Sequence, residues 1–259
     1  MADYRKEFKY IYTKRNMSKG SMETILGGTK FKIIDLSHPL DLDLEVYPGD
    51  PKLEREVFSD VVETGYGHLT HTVGDHMGHP HGDAPSHQNP ELKDKGIEHW
   101  DMNYFFNNAI LIDLSSTREA QEFDGIRYLV EVNKEHLEKF NERLSQVGAV
   151  VIRTGYDKWL EDNREHTPEN IPYLSKEAAE YIASFDNINV VGVDSLTIDP
   201  IGKHDAHWLL TKDKFVVESL VNLDQIPSED RLNFDLQTSP FRIKGATGSP
   251  VVAHAFVKR

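Results

Sequence analysis

Six of the thirteen histidines of this 259-residue chain lie in one twenty-residue stretch, His68–His87 (HLTHTVGDHMGHPHGDAPSH). Its last part places His81, Asp83 and His87 within seven positions. Imidazole nitrogen and carboxylate oxygen are ligands that Zn²⁺ and Mn²⁺ accept, and the chain has no cysteine to compete for that role. The spacing therefore predicts a divalent-metal site. The alternative is a histidine-rich surface loop without catalytic meaning.

The same stretch is rich in residues that interrupt helices. Glycines stand at Gly74, Gly78 and Gly82, and prolines at Pro80 and Pro85. Glycines and prolines at this density exclude a regular helix. We therefore expect the ligands to converge on the metal from a loop.

A metal site of this kind needs partners from elsewhere, and the C-terminal half supplies candidates. Glu218 lies in the apolar run 215–223 (FVVESLVNL). Burying a glutamate there is costly unless a metal or another cation compensates its charge. Glu218 is therefore the best carboxylate of this half; the alternative is a residue at a strand end that faces solvent. His204 and His207, in the segment HDAHWLL, offer further imidazoles.

The histidine-rich stretch resembles the signature of the cyclase family of metal-dependent hydrolases, the group that includes bacterial kynurenine formamidase and isatin hydrolase. The family pattern reads HxGTHxDxPxH. It is matched here by Gly78, His81, Asp83, Pro85 and His87.

The first histidine of the signature departs from the family pattern. Counting back from His81 places it on Met77, whereas a histidine stands one position earlier, at His76. A one-residue insertion accounts for this, with His79 and Pro80 where the family has a single threonine. The first ligand is therefore either His76 or His79.

The resemblance spans residues 31–257 through six ordered segments, among them IDLSHPL, YPGDP, VESLVNL and GATGSP. It implies that His207 is the catalytic acid/base, although His207 lies one residue nearer the Leu pair than the family pattern, which keeps His204 as an alternative. Tyr47, in YPGDP, is predicted to line the substrate pocket. The implied metal ligands are His76, His81, Asp83, His87 and Glu218.

Two-metal sites usually share a bridging carboxylate. Asp83 is placed to serve, with His76 and His81 on one ion and His87 and Glu218 on the other. Oxygen and nitrogen ligands suit Zn²⁺ and Mn²⁺ alike, so the metal and the number of ions, one or two, stay open.

Strand-like and helical patterns alternate along the remainder of the chain, which predicts an α/β fold. The resemblance implies a single swivelling β/β/α domain over residues 31–259, with residues 1–30 as an N-terminal extension that is either an arm or a frayed tail. Strands are expected at 31–38, 109–114, 149–153, 190–195 and 215–223, and helices at 134–147 and 175–184.

The overall charge limits the classes of partner. Twenty-nine Lys and Arg against 43 Asp and Glu give a net charge of −14, which argues against nucleic acid or an anionic membrane, because both reward basic surfaces. No apolar run has the length of a membrane span, and no signal peptide is recognised. We therefore expect a cytoplasmic protein that acts on a small molecule. The resemblance implies a homo-dimer or homo-tetramer.

The function implied by the resemblance is hydrolysis of a small amide, formamide, cyclic amide or lactone, in the manner of an arylformamidase. A divalent ion activates water and polarises the carbonyl, so no protein nucleophile is required. Two alternatives stay open: a homologue that has lost catalysis and serves as a binding or oligomeric scaffold, and a histidine-rich metal-storage protein.

Overall fold

The computed structural model describes residues 20–77 and 80–259, which form a mixed α/β fold around one large sheet. This confirms the predicted α/β class. The strands of this part are β1 (Ser21–Leu26), β2 (Thr29–Asp35), β3 (Glu54–Ser59), β4 (His68–Thr72), β5 (His81–Asp83), β6 (Phe106–Asp113), β7 (Gln121–Phe123), β8 (Ile126–Tyr128), β9 (Glu131–Val132), β10 (Ala149–Arg153), β11 (Tyr173–Leu174), β12 (Val190–Val193), β13 (Phe215–Glu218), β14 (Phe234–Pro240) and β15 (Gly248–Lys258). The α-helices are α1 (Val61–Thr64), α2 (Lys134–Glu138), α3 (Asn141–Leu144), α4 (Asp157–Glu161), α5 (Lys176–Ala183) and α6 (Asp205–Leu210). Short 3₁₀ turns lie at Pro90–Leu92, Ile97–His99, Met102–Tyr104 and Leu223–Gln225.

Seven strands of the large sheet close into a barrel-like ring. Neighbouring strands follow the order β15, β14, β6, β10, β12, β13 and β5, and β5 pairs again with β15. Closure depends on the eleven-residue length of β15, whose first residues pair with β5 while residues 254–258 pair with β2. The ring therefore brings β5 against the end of β13.

The central parallel strands are apolar on both faces, as strands covered on both sides should be. Along β10, Ala149 and Val151 belong to the core enclosed by the ring, and Val150 and Ile152 to the core under the helices. This alternation follows from the two-residue period of side chains on a strand. Burying each Val or Ile stabilises the fold by about 1.5–3 kcal/mol.

The predicted strands at 109–114, 149–153 and 190–195 are confirmed as β6, β10 and β12 to within a few residues at their ends. The predicted helix at 175–184 is confirmed as α5. It begins after Ser175, whose hydroxyl accepts a hydrogen bond from Ala178 N at 3.2 Å.

The single helix predicted at 134–147 is wrong, because the segment forms two short helices, α2 and α3. Phe140 breaks the helix between them, with φ −105° and ψ 10°. Leu137 and Leu144 are nevertheless fully buried in the same core, and Phe140 packs against it. The apolar spacing therefore predicted the buried face correctly, while the continuity of so short a helix depends on packing rather than on propensity.

The predicted boundary at residue 30 falls inside a β-hairpin. Residues 1–19 of the predicted extension lie outside the described residues, but β1 pairs antiparallel with β2, and β2 pairs with β15. Residues 21–26 are therefore an edge strand of the large sheet. The longest α-helix in the described part of the chain, α5, has eight residues, so no helix there is long enough to cross a membrane.

Candidate metal centre

Strand β5 carries two of the predicted ligands, His81 and Asp83. They are two residues apart, so their side chains lie on the same face of the strand. Gly82 lies between them on the opposite face, where an added Cβ would lie 2.3 Å from the Phe215 ring. For these two residues the expected loop is wrong, because pairing with β13 and β15 makes this segment a strand.

The register of β5 and β13 places Glu218 directly opposite His81. Their side chains meet, with His81 Nε2 3.1 Å from Glu218 Oε2. The other carboxylate oxygen, Oε1, accepts a hydrogen bond from Ile198 N at 2.8 Å. Glu218 is only 3% exposed, so the alternative of a glutamate facing solvent is wrong.

His76 enters the site from the turn after β4. Its Nδ1 lies 3.1 Å from Asp83 Oδ1, and its ring packs on His87 with centroids 3.7 Å apart. Its neighbour Met77 is buried with the hydrophobic side chains. The alternative first ligand, His79, lies outside the described residues.

His207 lies on α6 and is 1% exposed. Its Nδ1 contacts Asp199 Oδ2 at 2.6 Å, and its Nε2 lies 3.3 Å from both Asp83 Oδ2 and Glu218 Oε1. The His207 imidazole therefore lies between the carboxylate of Asp199 on one side and the carboxylates of Asp83 and Glu218 on the other. His204, the alternative acid/base, is exposed at the start of α6 and contacts Gln88 Oε1 through Nδ1 at 2.6 Å.

The charges of the site act on one another. Burial favours the neutral imidazole of His207, but the carboxylates of Asp199, Asp83 and Glu218 that face its two ring nitrogens outweigh burial and hold its pKa well above the usual value. Burial also opposes the charge of Asp83, yet His87, His207 and His76 hold its pKa well below the usual range. Burial lowers the pKa of His87 to about 4, so this imidazole is neutral, which is the form that binds a metal.

These side chains form two overlapping groups of potential metal ligands, within each of which the donor atoms lie within 4.8 Å of one another. Asp83 belongs to both groups, which is the position expected of a bridging carboxylate. The groups are His76, His81 and Asp83, and Asp83, His87 and His207. The geometry thus groups His87 with His207, whereas the sequence analysis paired His87 with Glu218.

The donor set fits a divalent cation. Neutral imidazoles and carboxylates are ligands of Zn²⁺ and Mn²⁺. Asp83 Oδ2 and His207 Nε2 are buried without a well-aligned hydrogen bond in the described residues. Buried polar atoms are normally satisfied, so these two atoms indicate that a bound group completes the site.

The predicted substrate-lining residue, Tyr47, is half-buried beside an aromatic cluster that includes Tyr128, Tyr156 and Trp159. Burial raises the pKa of its phenol, and the charges of Asp50 and Glu218 add to this effect. Tyr47 therefore lies within the electrostatic reach of the carboxylates of the metal centre.

Arg153 and Thr154, at the end of β10, belong to a buried polar network behind the site. Arg153 contacts Asp157 Oδ2 at 3.0 Å and Asp113 Oδ2 at 3.2 Å. Thr154 donates to Asp194 from both its backbone nitrogen and its hydroxyl. Their contacts hold the ends of β10 and β12 together.

Three polar residues around the centre were not singled out from the sequence: Asp75, Asp199 and Thr247. Asp199 Oδ1 accepts from Ala206 N at 2.8 Å, and its Oδ2 accepts from His207 N at 3.0 Å. An aspartate six residues before a helix is a weak signal, because helix-capping residues normally adjoin the helix. Asp75 and Thr247 are 172 positions apart and carry no local signal.

Comparison with known proteins finds a matching family and similar sequences. The sequence profile of the family described as "Putative cyclase" matches residues 34–200. The chain is 31% identical over 225 residues to a kynurenine formamidase of Bacillus thuringiensis (strain Al Hakam), a match that covers 85% of this chain and 95% of the relative. A kynurenine formamidase of Bacillus anthracis is 29% identical over 227 residues, covering 86% and 96%.

Solved structures share the fold. Isatin hydrolase A from Labrenzia aggregata, bound to benzyl benzoate, superposes with a TM-score of 0.70 at 22% identity, covering 88% of this chain and 94% of that one. A predicted metal-dependent hydrolase from Bacillus stearothermophilus gives a TM-score of 0.65 at 18% identity, covering 87% and 98%. At these identities the likeness establishes the fold alone.

Proposed function

We propose, because this chain belongs to the putative cyclase family, that it is a metal-dependent hydrolase that cleaves the carbonyl–nitrogen bond of a small formamide or amide. The kynurenine formamidase relatives, which span nearly the whole of this chain's globular part, support hydrolysis of such C–N bonds. They do not favour a scaffold that has lost catalysis. Within this class we propose an aryl formamide or a cyclic amide as the substrate.

The observation that carries this proposal is the buried meeting of two carboxylates, Asp83 and Glu218, with the imidazoles of His81 and His207. Asp83 Oδ2 and His207 Nε2 find no well-aligned hydrogen bond among the described residues. Two carboxylates so close together repel each other unless a cation lies between them. When bound, a divalent ion lowers the pKa of water and polarises a carbonyl oxygen. The residues that would hold Zn²⁺ or Mn²⁺, as one ion or two, are His76, His81, Asp83, His87 and Glu218.

We assign His207 the role of catalytic acid/base. Its raised pKa favours the imidazolium, which can give a proton to the departing nitrogen. His207 Nδ1 donates a hydrogen bond to Asp199 Oδ2 at 2.6 Å, so Nε2 faces the metal centre. His204 is the less suitable alternative, because it is exposed and already contacts Gln88.

Tyr47 is proposed to line the pocket for the substrate's aromatic ring. Its own ring packs against the buried aromatic cluster, while the field of Glu218 reaches its hydroxyl. An aryl group placed there would stack on Tyr47 with its carbonyl directed to the metal centre. This arrangement favours aryl substrates over aliphatic amides.

Other features of the proposal rest on the family resemblance. We propose that the chain folds as a swivelling β/β/α domain and assembles as a homo-dimer or homo-tetramer. A location in the cytoplasm is proposed from the sequence pattern alone, not from the resemblance. Size-exclusion chromatography with light scattering tests the assembly.

Hydrolysis of an N-formyl aryl amine by the purified full-length chain tests the function. We expect turnover that disappears after chelation and returns when Zn²⁺ or Mn²⁺ is added back. Full metal occupancy without turnover of any aryl formamide, cyclic amide or lactone would overturn the proposal in favour of a scaffold.

A further inference from the structure

His76 has a second contact, on the side of its ring that faces away from Asp83. Its Nε2 lies 3.1 Å from the hydroxyl oxygen of Thr247, in the turn before β15. Its Nδ1 faces Asp83 Oδ1 at the same distance. The two ring nitrogens are therefore held by two distant parts of the chain, and which of them carries the proton decides which one can bind a metal.

The hydroxyl proton of Thr247 is already used. Thr247 donates from Oγ1 to Asp75 Oδ2 at 3.0 Å, and its backbone nitrogen donates to the same oxygen at 2.8 Å. A hydroxyl has one proton to donate and two lone pairs to accept with. Towards His76, Thr247 can therefore act only as an acceptor, which requires the proton on Nε2.

The opposite nitrogen then carries a lone pair directed at the Asp83 carboxylate. Two acceptors 3.1 Å apart repel each other when nothing lies between them. A cation removes that repulsion and is bound by both atoms. The hydrogen-bond direction set at Asp75 thus agrees with the donor chemistry of the metal centre.

The turn before β15 also leaves space for the His76 imidazole. The Thr247 carbonyl accepts from Ala84 N at 2.9 Å, which ties the turn to the end of β5. At Gly248, an added Cβ would lie 2.5 Å from His76 Cε1. A side chain at this position would displace the ring, so the glycine leaves the space that His76 occupies.

We propose that Asp75 and Thr247 form a positioning relay that holds His76 in its Nε2–H tautomer and presents Nδ1 to the metal. The inference rests on the metal centre of the proposed function, and neither residue touches the substrate. Partners of this kind commonly change metal affinity by about 10–100-fold. The relay accounts for how a histidine one position away from the family pattern can serve as a ligand.

The tautomer can be measured without any substrate. Long-range ¹H–¹⁵N correlation spectra of the full-length protein loaded with Zn²⁺, in which the cation removes the repulsion between Nδ1 and Asp83, distinguish the two tautomers of each histidine, and His76→Gln identifies the His76 signals by their loss. We expect the Nε2–H form in the native chain. An Nδ1–H form would overturn the relay, whatever the enzyme hydrolyses.

Metal affinity provides the second test, by competition of Zn²⁺ against a chromophoric chelator. Thr247→Val, which removes only the hydroxyl, should weaken one binding event about 10–100-fold, whereas Thr247→Ser should remain within about threefold of the native chain. Asp75→Asn, which keeps the side-chain volume and removes the charge, should lie between them. Thr238→Val is the matched control, because Thr238 is a buried threonine whose hydroxyl has no partner among the described residues.

Equal affinities for Thr247→Val and the native chain would overturn the relay, and so would equal losses in the Val and Ser variants. A native chain that binds metal and shows the Nε2–H tautomer but hydrolyses no amide would refute the proposed function and leave the relay intact.

Discussion

His207 Nδ1 and Asp199 Oδ2 lie 2.6 Å apart, and the same oxygen also accepts the backbone N–H of His207. Asp199 thereby fixes both the start of α6 and the orientation of a buried imidazole that faces the carboxylates of Asp83 and Glu218. Helix position and ring orientation are therefore set by a single side chain.

His207→Ala should keep the metal and lower kcat by roughly 10²–10⁴, the range typical of a general acid/base group. Added metal should not restore activity. Kinetics together with elemental analysis of the purified variant check this. His204→Ala is the control and should remain close to the native rate; metal loss in His207→Ala equal to that in a ligand variant would instead place His207 among the ligands.

Glu218→Gln should lower the affinity for one ion, because the amide retains the volume but loses the charge that faces His81. Activity should recover in excess Zn²⁺ or Mn²⁺, as followed by titrating metal into the chelated enzyme. Glu229→Gln, at an exposed site, is the control. A variant with native metal affinity would remove Glu218 from the ligand set.

Tyr47→Ala should raise KM for an aryl formamide roughly tenfold, since about 1.4 kcal/mol is a reasonable value for an aromatic contact. Tyr47→Phe should stay near the native KM, because stacking does not need the hydroxyl. Steady-state kinetics with aryl and alkyl formamides check this. Equal changes for both substrate types would argue against an aromatic pocket wall.

Arg153→Met should destabilise the fold by about 3–5 kcal/mol, because it leaves the fully buried Asp157 carboxylate without its cation. Denaturant unfolding measures the change in the free energy of unfolding. Arg164→Met, which removes more exposed ion pairs, should cost about 1 kcal/mol or less. Similar losses of unfolding free energy in the two variants would show that burial does not make the Arg153–Asp157 ion pair more important for stability than the exposed pairs.

His166 should make stability fall as the pH is lowered. Burial lowers its pKa from 6.5 to about 4, and the charge of Glu45 opposes this only in part. The unfolded chain therefore binds a proton at a higher pH than the folded one, so the contribution of His166 is present above pH 6.5 and is lost towards pH 4. The difference in unfolding free energy between the native chain and His166→Gln should decrease by up to about 2 kcal/mol between pH 6.5 and 5.

His38 is present in both the native chain and the His166→Gln variant. Burial also lowers the pKa of His38 to about 4, so its contribution cancels in the difference. A difference that stays constant from pH 7 to pH 5 would contradict the assignment to His166.

The sequence by itself determined the α/β class and most of the elements, and it predicted the chemistry. The density of histidines around Asp83 predicted a metal site, and a glutamate inside an apolar run predicted its carboxylate partner, because burying that charge requires compensation. The apolar runs also predicted β6, β10, β12 and the buried face of α2 and α3. The inferences on strands and buried faces succeeded because hydrophobic period is a local property of the chain, while the ligand set stays a prediction.

Tertiary structure alone decided which residues meet. The strand character of β5 comes from pairing with β13 and β15. Ring closure brings Thr247 to His76, while the position of α6 places His207 against Asp199. Residues 21–26, expected in an extension, form an edge strand because they pair with β2. The contact between His76 and Thr247, which are 171 positions apart, leaves no mark in the local sequence pattern, so the orientation of that imidazole was fixed only when the sheet closed.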